Sequence, residues 1–138
     1  MQKFANEQQM IDFGKALAKT VKIPAVIELV GDVGTGKTTI TKGLAQGLGI
    51  DEEITSPTFT LSKRYAFHHA GKDCFLVHYD FYRLNDPGIM SEDLLENIHD
   101  PNTLTVIEWG DSVSDLLPED HLRFHINFNE DGSRSINS

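Results

Sequence analysis

Residues 25–38 read AVIELVGDVGTGKT, and the order of residue types within them decides the fold. Ala25-Val26-Ile27-Glu28-Leu29-Val30 is short, apolar and rich in β-branched residues. It starts behind Pro24 and stops at Gly31, which predicts a strand. From Lys37 to Leu48 the apolar residues Ile40, Leu44 and Leu48 recur at helical spacing, and Gly49 supplies a stop signal. Between strand and helix, Gly31 to Thr38 matches G-x-x-x-x-G-K-[S/T] at every fixed position. Glycines let backbone N–H groups approach phosphate oxygens with no side chain in the way, and the new helix aims its positive dipole end at the same anion. In such a loop the lysine, here Lys37, places its ammonium between the β- and γ-phosphates, and the hydroxyl of Thr38 is a ligand for Mg²⁺. A glycine-rich turn with a chance lysine is the competing reading, and the flanking strand and helix argue against it. The pattern predicts a nucleoside-triphosphate site whose cradle runs through Asp32, Val33, Gly34, Thr35, Gly36, Lys37, Thr38 and Thr39.

Outward from this stretch, Met10, Phe13, Leu17 and Val21 recur every three or four residues behind Asn6, predicting an amphipathic helix from about Asn6 to Val21 with Asn6 as its N-cap. Further strands are expected at Thr58–Phe67, Cys74–Tyr79, Leu104–Glu108 and Leu122–Phe128, the first of them at a sheet edge because its alternation is incomplete. Ser91 to Glu96 resembles a capping box and predicts a short helix, and Asp131-Gly132 can turn a hairpin into a weak strand over Ser133–Asn137. Strands alternating with helices predict an α/β sheet, and the 138 residues, with neither repeat nor long linker, predict a single domain over 1–138.

A phosphate-binding loop also needs a carboxylate at the end of a neighbouring strand. Asp80 follows Phe75-Leu76-Val77-His78-Tyr79, and Glu108 follows Leu104-Thr105-Val106-Ile107. Both fall where ligands gather in open α/β sheets, beyond the carboxyl ends of the strands. Spacing leaves open which of the two faces metal and which handles water. In Ser56-Pro57-Thr58-Phe59 a hydroxyl could sense the γ-phosphate, and Ser-Pro-Thr is equally ordinary turn chemistry. Arg83 could pair with phosphate or a partner, or with Asp80 or Glu108. His78 and Tyr79 alternate on a strand, so one of them is expected to face the core, and no chemistry is expected of either. Cys74 begins a buried-looking strand and reads as inert.

Composition narrows the class of function. Twelve basic against twenty-one acidic side chains give a formal charge of −9, which argues against stable DNA binding or gripping RNA through its own phosphate contacts. No apolar run approaches the roughly 18 residues that span a bilayer, the amino terminus lacks a signal-peptide core, and Cys74 is the single cysteine. A reduced cytoplasmic protein without membrane contact is the expectation.

Together, Gly31–Thr39 (GDVGTGKTT), Ser56–Thr60 (SPTFT), His78–Leu84 (HYDFYRL) and Ile107-Glu108-Trp109 resemble the bacterial TsaE family, formerly called YjeE, over roughly Asn6 to Phe128. The resemblance implies a P-loop NTPase fold with a mainly parallel central sheet, antiparallel marginal strands and flanking helices. It implies an ATPase, with ATP and Mg²⁺, required for N6-threonylcarbamoyladenosine in tRNAs reading codons that start with A. It also implies action with the TsaD–TsaB pair, and contact with tRNA only through that pair. Position by position, Lys37 and Thr38 match the family's phosphate and magnesium residues, Asp80 its Walker-B-like aspartate, and Glu108 the acid assigned to the magnesium site. Thr58 matches the switch-like threonine, Trp109 the tryptophan beside that acid, and Glu7-Gln8 the segment near the adenine. After Leu84 the likeness loosens, because Asp86-Pro87-Gly88-Ile89-Met90 stands where family members carry a glutamate-rich helix. A small-molecule kinase on the same loop, which usually needs an arginine-bearing lid, and a nucleotide-dependent switch or scaffold with negligible hydrolysis are the alternatives. None of Arg64, Arg83, Arg123 and Arg134 sits in an obvious lid.

Overall fold

A computed structural model describes residues 2–32, 34–55, 62–82, 88 and 90–138. The elements in chain order are β1 (Gln2–Phe4), α1 (Glu7–Thr20), β2 (Ala25–Val30), α2 (Lys37–Gly47), β3 (Ser62–His69), β4 (Lys72–Asp80), α3 (Met90–His99), β5 (Thr103–Glu108), a 3₁₀ helix (Gly110–Leu116), β6 (Leu122–Phe128) and β7 (Arg134–Asn137). The sheet order is β1-β7-β6-β2-β5-β4-β3. Strands β6, β2, β5 and β4 run parallel to one another, and the margins β1/β7, β6/β7 and β3/β4 are antiparallel. This is the expected α/β sheet with antiparallel margins, of P-loop NTPase type. Strand β3 lies at the edge, as its incomplete alternation predicts. Of that strand's expected range, residues 58–61 lie outside the described residues.

Covered strands are buried on both faces, which explains the apolar run of β2 and the complete burial of β5. One face carries α1 and α2 over Ile27, Leu29, Leu76, Leu104 and Val106, and the other carries α3 and the 3₁₀ helix over Val26, Val77, Tyr79 and Ile107. Asn6 caps α1, its side chain accepting the N–H of Gln9 at 3.0 Å.

The stripe that α1 buries differs from the expected one. Met10, Gly14 and Ala18 are buried, whereas Phe13 and Leu17 are only partly covered. Close helix contact is the reason. A Cβ built at Gly43 of α2 would stand 2.1 Å from the carbonyl oxygen of Ile11, and one at Gly14 would stand 2.3 Å from that of Ile40. The helices meet backbone to backbone, so the smallest residues mark the interface and the larger apolar ones flank it. Two further elements, β1 and the 3₁₀ helix, are absent from the sequence reading. β1 has three residues and exists only by pairing with β7, a partner at the other end of the chain.

Candidate functional site

The carboxyl ends of β2, β4 and β5, together with the starts of α1 and α2, close around a cleft of ≈ 470 Å³. Its lining includes Glu7, Lys37, Thr38, Thr39, Asp80, Glu108 and Trp109, all anticipated, together with Met10, Tyr82 and Arg134. At its base the loop leaves β2 and turns into α2 through Gly36, whose φ of 108° is left-handed and whose Cβ would lie 2.2 Å from Met10 Cε. A side chain here would be strained in the backbone and would meet α1. Lys37 is buried, and its ammonium donates to the carbonyls of Gly31 at 2.6 Å and Asp32 at 2.9 Å. Thr35 is also buried and donates to Asp32 O at 2.8 Å, holding the loop closed rather than facing the cleft.

β4 and β5 set the two acids side by side, since Asp80 and Glu108 are register partners. Burial lowers Lys37 from the ordinary lysine range, and the carboxylates of Glu108, Asp80 and Asp32 oppose that shift. Burial raises Asp80, with Glu108 adding to the rise and the Tyr82 N–H, His78 and Lys37 opposing it. Two neighbouring acids thus face one ammonium, and the Thr38 hydroxyl lies 3.4 Å from Glu108 Oε2, a long approach for such a bond. Hard oxygen donors of this kind suit Mg²⁺, which is usually held by one or two carboxylates together with phosphates and water. Among the described residues no group of three His, Cys, Asp or Glu could hold a metal by itself.

Trp109 follows Glu108 with φ 58° and ψ 50°, an uncommon conformation for a bulky residue. It carries the indole over Lys37, 4.6 Å from ammonium to ring centroid, with Tyr82 packed against it at 4.8 Å. Val33, Thr58 with its Ser56–Thr60 segment, and Arg83 lie outside the described residues. Gln8 does not line the cleft; its amide donates to Asp12 at 3.0 Å, and Glu7 and Met10 occupy that wall.

Sequence reasoning passed over two residues. His78 and Tyr79 are both fully buried, not one of the two, because β4 is covered on both faces. Tyr79 bonds Asp93 and Asn97 of α3, whereas His78 Nε2 is bonded to Glu108 Oε2. Arg134 of β7 reaches across to the loop, donating to Gly34 O at 3.2 Å while its guanidinium covers the Phe128 ring at 4.5 Å. No local pattern marks Arg134. Only the hairpin pairing of β7 with β6 brings it there.

The family profile described as "Threonylcarbamoyl adenosine biosynthesis protein TsaE" matches residues 4–136. The chain belongs to the TsaE family. TsaE-family relatives named tRNA threonylcarbamoyladenosine biosynthesis protein TsaE include one from Streptomyces coelicolor, 38% identical over 85% of this chain and 78% of the relative. Another, from Bacillus subtilis, is 37% identical over 95% of this chain and 79% of the relative. The crystal structure of YdiB from Bacillus subtilis is similar with a TM-score of 0.77 and 31% identity, over 98% of this chain and 80% of that one. As a member of the TsaE family, the chain is placed in tRNA threonylcarbamoyladenosine biosynthesis. No helix among the described residues is long and apolar enough to cross a membrane.

Proposed function

We propose that this chain is a cytoplasmic, single-domain P-loop ATPase that binds ATP with Mg²⁺ and acts with the TsaD–TsaB pair in threonylcarbamoylation of tRNA adenosine. The observation that carries the reading is the convergence of Lys37 and Thr38, at the start of α2, with Asp80 and Glu108, at adjacent strand ends, on one cleft. Lys37 is the point charge for the β/γ-phosphates, and Thr38, Glu108 and Asp80 supply oxygen toward the cation. Bound Mg²⁺ would contribute charge neutralisation on the phosphates. The loop backbone orients the phosphates, and Trp109 and Tyr82 form an apolar wall that limits water. On the opposite wall Glu7, Met10 and Arg134 face the remainder of the nucleotide.

A net charge of −9 gives no long-range attraction for tRNA phosphates, and on this reading water exclusion and extra transition-state charge come from the partner pair. Hydrolysis by the lone protein is therefore expected to be slow and its tRNA retention poor, with both changed by TsaD and TsaB. Phosphate release and filter retention of tRNA, measured with and without the pair at fixed near-physiological salt, test this. A rate indifferent to the pair, or tight tRNA binding by the protein alone, overturns it. Calorimetry with an ATP analogue tests the cleft itself: Lys37→Ala should lose roughly tenfold or more in affinity while remaining folded. Unchanged affinity in the folded variant would sink the assignment.

A further inference from the structure

The buried His78 belongs to no part of the phosphate loop, yet its ring touches the carboxylate nearest Thr38. It stands on β4 opposite Val106 of β5, on the same face as Glu108, and is 0% exposed. Its Nε2 bonds Glu108 Oε2, the same oxygen that Thr38 approaches, so the imidazole and the hydroxyl meet on one atom. Its other nitrogen, Nδ1, is buried with no partner among the described residues. A proton on Nδ1 would be a buried donor without an acceptor, an unfavourable arrangement. That places the donated proton on Nε2, pointing at Glu108. Glu108 itself is buried, so its orientation is decided by such contacts and not by solvent.

We propose that His78 is the positioning residue of this site: by donating Nε2–H to Glu108 Oε2 it holds the carboxylate in the orientation from which the acid and Thr38 share one divalent cation. His78 itself touches neither nucleotide nor metal. The inference rests on Glu108 facing Mg²⁺, as read above. Groups that orient a metal-facing ligand usually change metal affinity by roughly 10–100-fold when removed.

Two polar variants separate this from a packing role. In His78→Gln the amide nitrogen falls near the place of Nε2 and can still reach Glu108, whereas in His78→Asn it falls near the place of Nδ1 and stops short. The probe is a non-hydrolysable ATP analogue, titrated calorimetrically without Mg²⁺ and then across a Mg²⁺ series, with a melting curve for each protein. Affinity without Mg²⁺ is expected to stay within about twofold of wild type in both variants. The Mg²⁺ concentration giving half the affinity gain is expected to rise at least about tenfold in His78→Asn and to return most of the way in His78→Gln. Wild-type Mg²⁺ dependence in a folded His78→Asn overturns the proposal. So does a loss shared equally by both variants with and without Mg²⁺, which marks packing alone. If one variant does not fold, the Mg²⁺ midpoint of the other decides: Gln must stay near wild type, or Asn must shift. If the wild type itself shows no Mg²⁺ effect, the reading of Glu108 fails first and this inference with it.

Discussion

Glu28 on β2 and Glu108 on β5 are each 3% exposed and each bonded to the Nε2 of a histidine, His121 at 3.0 Å and His78 respectively. They face opposite sides of the sheet, because Glu28 is the register partner of Ile107 and Leu29 that of Glu108. Their surroundings diverge from there. Glu28 also has Arg123 at 3.2 Å and lies beneath Gly110, where a Cβ would come 2.8 Å from its Oε2. Glu108 has the acid Asp80 beside it and shares the ammonium of Lys37 with it. Two carboxylates equally removed from water are therefore completed differently, one by Arg123 and a histidine of the protein itself and the other at the wall of a cleft. Burial and a histidine partner do not by themselves mark a functional acid. The charge balance of its neighbours is what separates Glu108 from Glu28.

Exchanging each acid for its amide tests that contrast. Glu108→Gln should slow Mg²⁺-dependent hydrolysis by about a hundredfold or more while leaving Mg²⁺-free analogue binding nearly intact, since the backbone cradle remains. A wild-type rate in phosphate-release assays would erase the distinction. Glu28→Gln should do the reverse, lowering unfolding free energy by about 1–3 kcal/mol with nucleotide affinity unchanged; urea denaturation and calorimetry measure the two. The lower half of that range is expected, because the Arg123 side chain is 49% exposed and water screens its charge.

The face that holds Glu28 has a second buried polar group, which sharpens the comparison at a smaller scale. Tyr79 donates to Asp93, and Asn97, itself bonded by Arg64, donates to Tyr79. Burial, then the bond to Asp93, raises the Tyr79 phenol above its ordinary value of 10.0. A raised pKa means that the folded state holds the proton more tightly. The contribution is complete below pH 10.0 and is lost as pH climbs through the folded value. Tyr79→Phe should therefore cost about 1 kcal/mol at neutral pH. Its stability curve should converge on that of wild type above pH 10.0, which denaturation at stepped pH would reveal. A gap that stays constant with pH would mean that Tyr79 does not titrate with unfolding.

The loop and its acids were legible because their signals are local. G-x-x-x-x-G-K-T needs only a strand before it and a helix after it, and an acid closing an apolar run ends up at the strand's carboxyl end. His78 was illegible for a physical reason. Alternation tells which of two neighbours is inside only when one face of a sheet meets water, and β4 is covered on both. The α1 stripe misled for a related reason, since hydrophobic spacing selects large residues, whereas the closest contact uses Gly14 and Gly43. β1 depends on pairing between the two ends of the chain, and Arg134, carried by the β6/β7 hairpin, meets Gly34 a hundred residues away, so no window of sequence contains either contact.

That closest contact has a mechanical consequence. With the carbonyl of Ile11 against Gly43 and that of Ile40 against Gly14, the two helices have almost no side-chain cushion between them. A shift along either axis would drive bulkier neighbours into backbone oxygens, so α1 and α2 move as one rigid lever. The walls they carry, Glu7 and Met10 on one and Lys37 to Thr39 on the other, keep a fixed span. Whatever a ligand changes in the width of the cleft is taken up on the opposite bank, beyond the ends of β4 and β5, where Tyr82 packs on Trp109 and the indole meets Lys37 through side chains.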